Sequence, residues 1–185
     1  GASYMITLDS YDENWVAGEV GAYGWRRLAT GGTFDAGNGD LTLVGQWKTY
    51  NGPWQQKEDL AHYTGFAKYV QPLSFGIFDF TMHGYHATWL PTEQIPERAI
   101  GTPICSDRFC ALDTSATGET TRFIGSARVQ GNNWRANIFA QYYDWTMFSN
   151  PTYFNADGTS AQIKQFDSRW SFGMKAEKTF IFDPD

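Results

Sequence analysis

The segment GIFDFTMHGY, residues 76–85, decides the fold class of this chain. Apolar side chains such as Phe80 and Met82 alternate there with polar ones such as Asp79 and His83. A period of two places the two kinds of side chain on opposite faces of a β-strand. The segment therefore predicts a strand with one apolar face and one polar face.

The same alternation recurs in five further segments, and no segment shows a convincing helical period. The apolar faces of the five carry Leu41, Leu43, Gly45 and Trp47; Tyr63, Gly65, Ala67 and Tyr69; Phe123, Gly125, Ala127 and Val129; Ala136, Ile138, Ala140 and Tyr142; and Trp170, Phe172, Met174 and Ala176. Across all six segments the apolar faces carry no charge, whereas the opposite faces carry about nine charges in all. The pattern predicts an all-β chain.

The connections between these strands alternate in length. Tight turns are predicted at 71–74 and 131–133, and long links at about 49–62, 88–119 and 145–165. Antiparallel outer-membrane barrels alternate short periplasmic turns with long extracellular loops in this way. On that pattern residues 35–40 form a longer turn on the periplasmic side.

Two earlier strands, at about 2–9 and 15–28, complete a predicted set of eight meandering antiparallel strands. The second is ambiguous, because Glu19 and Arg27 share a parity with Trp15 and Tyr23. A β-bulge would reset the register there.

Both a membrane barrel and a water-soluble sandwich of two sheets produce alternating faces. A charge on the lipid side near mid-membrane costs roughly 2–4 kcal/mol, so lipid demands the strict absence of charge seen here. The glycine and alanine content of the apolar faces would leave a packed core short of volume. Aromatic residues near the strand ends are typical of an interfacial girdle. These features favour the barrel.

Composition excludes several other classes. The net charge is −6, so nothing builds the basic stripe that a nucleic acid requires. An aromatic content of 17% argues against disorder. No segment approaches the ~20 consecutive apolar residues of a membrane-spanning helix. The first residues, GASY, do not begin a signal peptide, so we expect a mature chain or a piece of a longer one.

Two cysteines, Cys105 and Cys110, lie within the longest predicted loop. A zinc site needs more ligands than this segment offers, and the three histidines lie elsewhere in the sequence. We favour a small disulfide loop in an oxidising compartment over a pair of free thiols.

Three loop motifs resemble one known family. They are YNGPW at 50–54, TEQIPERAI at 92–100 and FSNPTYF at 148–154. In this order and spacing they are similar to the barrel of TonB-dependent outer-membrane receptors, where "YDGPW", "DQIPxRA" and "SNFTYF" segments follow one another. The similarity runs over about residues 14–180.

The resemblance implies a segment of a 22-stranded barrel that encloses a plug domain and takes up a scarce nutrient. The ligand would be a ferric siderophore, a cobalamin-like molecule or a carbohydrate. We expect residues 1–185 to be a partial barrel domain, without the plug, the TonB box or the C-terminal closing strand. Its partners would be outer-membrane lipid of a Gram-negative bacterium, the remaining strands and plug, and through the plug the TonB complex. No cofactor is expected.

Two alternatives remain open at this point. One is a complete eight-stranded outer-membrane barrel, since eight strands can close around their own side chains. The other is a soluble, secreted β-sandwich that binds carbohydrate on aromatic platforms.

Six residues are candidates for ligand binding from the extracellular loops or their bases. They are Trp54, Trp89, Arg98, Trp145, Tyr153 and Phe154. The aromatic rings could stack on a sugar or an aromatic siderophore, or anchor the barrel rim at the membrane interface. Arg98, within an Ile-Pro-Glu-Arg-Ala sequence, is better explained as fixing its loop to the barrel wall.

No catalytic or metal site is predicted. Asp79 and His83 share a face but lie about 13 Å apart along the strand. Together with His86, they are more simply explained as polar lining. Loop carboxylates at Glu93, Glu97 and Asp107 are most simply solvated charges, with a cation site as the alternative. No nucleophile elbow or phosphate-binding loop is present, and we do not expect an enzyme.

Overall fold

The computed structural model describes residues 7–181 as a single antiparallel sheet of eight strands in chain order. The strands are β1 (Trp15–Val20), β2 (Arg26–Ala36), β3 (Gly39–Tyr50), β4 (Leu60–Leu73), β5 (Gly76–Trp89), β6 (Thr117–Gln130), β7 (Trp134–Ser149) and β8 (Ile163–Lys178). Two short 3-10 turns, Ala22–Gly24 and Glu97–Ala99, are the only helical elements in the described range. The predicted all-β meander is confirmed. Its end strands β1 and β8 do not pair with each other, so the sheet is open.

Residues 7–181 include no helix long and apolar enough to cross a membrane.

The register places the six predicted apolar faces on one side of the sheet. Directly opposed residues of an antiparallel pair project to the same side. One such row runs from β3 to β8 through Leu43, Ala67, Met82, Gly125, Ala140 and Phe172. We call this side the apolar face and the other side the polar face. A row of the polar face contains Asp40, Val70, Asp79, Arg128, Asn137 and Lys175.

The apolar face contains an uncharged band. On β5 the band runs from Phe78 to Gly84, and the rows through those positions contain no charged residue on any strand. Charges of the same parity occur only toward the strand ends, at Arg26, Glu119, Asp144, Lys164 and Lys178.

The band is largely uncovered. Phe172 is 72% exposed and Met174 is 87% exposed. No second sheet packs on this face in the part of the chain that the structure describes. The described fold is therefore not a two-layer sandwich.

Strand length is unusual. β4 to β8 contain 14 to 16 residues each, whereas strands of globular proteins average about five or six. Because the strands extend further than predicted, the long connections shrink to residues 51–59, 90–116 and 150–162. These loops all lie at one end of the strands, and the tight turns after β2, β4 and β6 lie at the opposite end. The alternation of connection lengths is confirmed.

The predicted strand at 15–28 is wrong, because two strands occupy it. β1 ends at Val20, a 3-10 turn follows, and β2 begins at Arg26. Tyr23 (φ 56°) and Gly24 (φ 74°) take the left-handed conformation that reverses the chain. Glu19 and Arg27 are direct cross-strand partners joined by an ion pair, so their shared parity reflects a change of strand rather than a bulge.

The longer turn predicted at 35–40 is also wrong. Asp35 and Asp40 are paired within the sheet, which leaves only residues 37–38 in the turn. Gly37 adopts φ +67°, the positive value that a two-residue hairpin requires. The strand predicted at about 2–9 lies mostly outside the described residues, and its described part, 7–9, is not strand.

An N-terminal segment, residues 7–14, crosses the polar face. Lys68, whose side chain is 3% exposed, forms an ion pair with Asp9 at 2.5 Å. Its ammonium group also donates to both oxygens of Thr7 and to the carbonyl of Leu8. The segment and the sheet together bury Lys68 and Thr42. Within the strands, the buried side chains of the described residues therefore lie on the polar face.

Replacing Lys68 should release this segment. Lys68→Met keeps the length of the side chain but removes the ion pair and the hydrogen bonds that Lys68 makes to residues 7–9, while the bond from the Thr42 hydroxyl to the Asp9 carbonyl remains. Hydrogen bonds to charged groups contribute about 1.5–3 kcal/mol, so amide exchange in 7–14 should accelerate by at least tenfold. Lys48→Met is the control. Lys48 lies on the polar face of β3, as Lys68 does on β4, but it makes no ion pair or hydrogen bond with residues 7–14. Equal protection in both variants would contradict this anchoring role.

Candidate functional site

Three long loops contact one another at the same end of the strands. We call these residues, 51–59, 90–116 and 150–162, the loop assembly. In an antiparallel meander, every second connection lies at the same end of the strands. The order of the strands alone therefore places the three loops side by side.

The first and second loops are joined by backbone and ring contacts. Gln55 donates its backbone N–H to the carbonyl of Phe109 at 2.8 Å. The Gln56 side chain donates to the carbonyl of Thr114 at 3.1 Å. The ring of Trp54 lies against that of Phe109, with centroids 5.9 Å apart. Trp54 is thus half-buried in a contact within the protein.

The second and third loops are joined by buried polar groups. The Asn150 backbone N–H donates to Glu93 Oε1 at 2.9 Å, and its side chain donates to Asp113 Oδ2 at 2.6 Å. The Tyr153 hydroxyl donates to the carbonyl of Gln94 at 2.5 Å. Tyr153 is only 6% exposed and Asn150 is buried. These side chains hold the loops together.

The ionisation of this junction follows from its contacts. Hydrogen bonds from the Ser115 hydroxyl, from Asn150 and from the Ser115 backbone lower the pKa of Asp113. Burial, followed by the charges of Glu93 and Asp113, raises the pKa of Tyr153. At neutral pH Asp113 therefore accepts hydrogen bonds as a carboxylate, and Tyr153 donates as a neutral phenol.

The second loop has its own internal brace. Cys105 and Cys110 form the predicted disulfide, with Cα atoms 5.5 Å apart. Asp107 lies between them and accepts a hydrogen bond from the Phe109 backbone at 2.7 Å. Cys105 is fully buried. The disulfide closes a compact turn next to the ring contact with the first loop.

The six predicted ligand-binding residues do not converge. Trp54 and Tyr153 line the same cleft in the loop assembly, but its volume of about 30 Å³ suits a water molecule and not an organic ligand. Phe154 is 70% exposed and Arg98 is exposed at the 3-10 turn. Trp89 and Trp145 lie in strands, on the polar face of β5 and β7.

The residues considered for metal or acid–base chemistry are also dispersed. Asp79 is buried and paired with Arg128 at 2.5 Å. His83 shares the polar face with it, whereas His86 lies on the apolar face. Among the described residues, no three His, Cys, Asp or Glu side chains are close enough to hold a metal ion.

A larger hollow lies on the polar face of β5 to β8. Its volume is about 440 Å³, and we call it the arginine–tyrosine groove, lined by Tyr85, Arg122, Gln141, Tyr143, Trp145, Asp167 and Arg169. Of the predicted ligand-binding residues, only Trp145 belongs to it. The other residues that line the groove could be assigned to the polar face from the alternation of their strands. Only the register shows that they lie next to one another.

No protein-family model, curated protein or solved structure matches the chain.

Removing one hydroxyl should loosen the loop assembly. Tyr153→Phe deletes the hydrogen bond from the Tyr153 hydroxyl to the Gln94 carbonyl, at a cost of about 1 kcal/mol. Amides of residues 90–96 and 150–154 should exchange at least fivefold faster. Phe154→Ala, at the exposed neighbouring position, should change this exchange little. A larger effect from Phe154→Ala would contradict the assigned contact.

Acid should loosen the same junction. Because folding lowers the pKa of Asp113 below its ordinary value of 3.8, its contribution is complete above that value and is lost as the pH falls through the lowered one. The NMR shift of the Ser115 amide should therefore titrate with a midpoint below 3.8. Asp113→Asn should abolish the transition. A midpoint at or above 3.8 would refute the hydrogen-bonded carboxylate.

Proposed function

We propose that this chain forms part of the wall of an outer-membrane β-barrel of the TonB-dependent receptor type. Its loop assembly would contribute to the extracellular side on which a nutrient binds. The observation that carries the proposal is the uncharged, exposed band on one side of all eight strands.

Hydrocarbon is the environment that suits such a surface. In water, a contiguous apolar patch this large would promote aggregation. In lipid, the same side chains are solvated, and only charges carry a large penalty. The restriction of charge on this face to the strand ends, as at Glu119 and Lys178, is what a bilayer requires.

Strand length supports the same proposal. A tilted strand crosses the hydrocarbon core with about 9–11 residues. β4 to β8 exceed this by several residues, which leaves both ends for the headgroup regions. Aromatic rings of the interfacial type flank the band, with Trp47 and Tyr63 toward the loops and Phe75 stacked on Trp134 at the turns.

The open edges favour a larger barrel over a complete eight-stranded one. In hydrocarbon every backbone N–H and C=O must be paired, so β1 and β8 both require partner strands. β1 contains 6 residues and β8 contains 16, so β1 could satisfy only part of the β8 edge. Further strands of the same or another chain would complete the wall.

The loop motifs point in the same direction. All three motifs lie at the end of the strands that carries the long loops, and this end would be extracellular. They are YNGPW at 50–54, TEQIPERAI at 92–100 and FSNPTYF at 148–154. The tight turns would then face the periplasm. A plug and the TonB complex would be the partners for uptake, in the outer membrane of a Gram-negative bacterium. The nutrient would be a ferric siderophore, a cobalamin-like molecule or a carbohydrate.

A pair of neighbouring substitutions tests the proposed lipid contact. Ala127 lies in the uncharged band of β6, and Ser126 lies beside it on the polar face. Ala127→Arg in the full-length protein should lower the free energy of unfolding from lipid vesicles by about 2–4 kcal/mol. Ser126→Arg should cost much less, because its side chain would stay hydrated.

Urea unfolding from vesicles and heat-modifiable gel mobility measure this difference. Equal costs for the two substitutions would argue against a lipid-facing band. A monodisperse, folded monomer in buffer without detergent would overturn the membrane proposal altogether.

A further inference from the structure

The arginine–tyrosine groove is built on one register row. Tyr85, Arg122, Tyr143 and Arg169 are direct cross-strand partners on β5, β6, β7 and β8. Neighbouring strands lie about 4.8 Å apart, so the four side chains project in parallel over roughly 14 Å. The next row toward the loops contains the small residues Ala87 and Thr120, followed by Trp145. Because these residues are small, they leave the space of the groove open, and the side chain of Trp145 lines it.

Arg122 differs from the other arginines on the polar face of the strands. Arg27, Arg128, Arg135 and Arg169 each form an ion pair with a carboxylate. Arg122 instead donates from Nε and Nη2 to Gln141 Oε1, at 3.2 and 2.6 Å. It has no carboxylate partner among the described residues. A guanidinium has five N–H donors, so three remain available on a cation that a neutral amide holds in place.

The aromatic side chains of the groove are also held in place. The ring of Tyr85 stacks on His62 at 5.8 Å, and Tyr143 lies under the guanidinium of Arg169 at 5.4 Å. Asp167 in turn pairs with Arg169 at 2.9 Å. A planar ligand could therefore contact these rings without first ordering them, which reduces the entropic cost of binding.

We propose that the arginine–tyrosine groove binds an organic anion that carries an aromatic ring, such as an aryl carboxylate. The anionic group would form a bidentate contact with Arg122, and the ring would pack among Tyr85, Tyr143 and Trp145. This inference rests on the proposed function, because the polar face is an accessible binding surface only if the band is the outer one. Among the possible nutrients, it favours a charged aromatic ligand over a neutral carbohydrate, which would leave Arg122 without a counter-charge.

Salicylate and its neutral counterpart salicylamide are the probes. Titration of the full-length protein in detergent or vesicles, followed by tryptophan fluorescence or NMR, should show at least tenfold tighter binding of salicylate. Gln141→Glu is the decisive variant, because it gives Arg122 the carboxylate partner that it lacks without leaving a buried charge unpaired. It should weaken salicylate binding by tenfold or more and leave salicylamide binding unchanged. Arg122→Gln should do the same.

The molecule supplies a matched control on the same polar face, at the opposite end of the strand order. Arg27 also donates to a glutamine, Gln46, but already pairs with Glu19. Gln46→Glu and Arg27→Gln should therefore leave salicylate binding unchanged. Equal binding of salicylate and salicylamide, or unchanged binding in Gln141→Glu, would overturn the anion site. Failure of the groove alone would leave the cost difference between Ala127→Arg and Ser126→Arg intact, whereas failure of the wall proposal would abolish that difference.

Discussion

The uninterrupted pairing of eight antiparallel strands is the constraint on which the rest of this structure depends. Because side chains alternate with a period of two, a slip of one residue at any pair would move a whole strand's side chains to the other side. A slip between β5 and β6, for example, would separate Asp79 from Arg128. The register thus determines the uncharged band, the ion pairs of the polar face and the groove together.

Much of the fold could be predicted from the sequence because alternation is a local signal. The six alternating segments, the long connections and the disulfide were all predicted correctly. The segment at 15–28 was not, because a shared parity of Glu19 and Arg27 is equally consistent with a bulge and with a change of strand. The left-handed Tyr23 that makes the turn is unusual for a non-glycine residue, and no local pattern announced it.

The candidate sites were less predictable, because they depend on contacts between distant residues. Tyr153 looked like an exposed platform in a loop, yet its hydroxyl reaches Gln94 and the ring is buried. The groove joins Tyr85 to Arg122 across the longest loop. Alternation assigns each residue to a face, but it does not say which residues of neighbouring strands oppose one another. That information comes only from the register.

The proposed membrane setting also accounts for where the chemistry lies. If lipid tolerates no charge along the band, ionisable side chains are confined to the strand ends, the loops and the polar face. Most charges on the polar face of the strands are paired, as in Asp79 with Arg128, and a paired charge exerts a weak field on a ligand. Arg122 has only an amide partner, so its field is not cancelled locally. The constraint that makes one face inert therefore concentrates the capacity for recognition on the other.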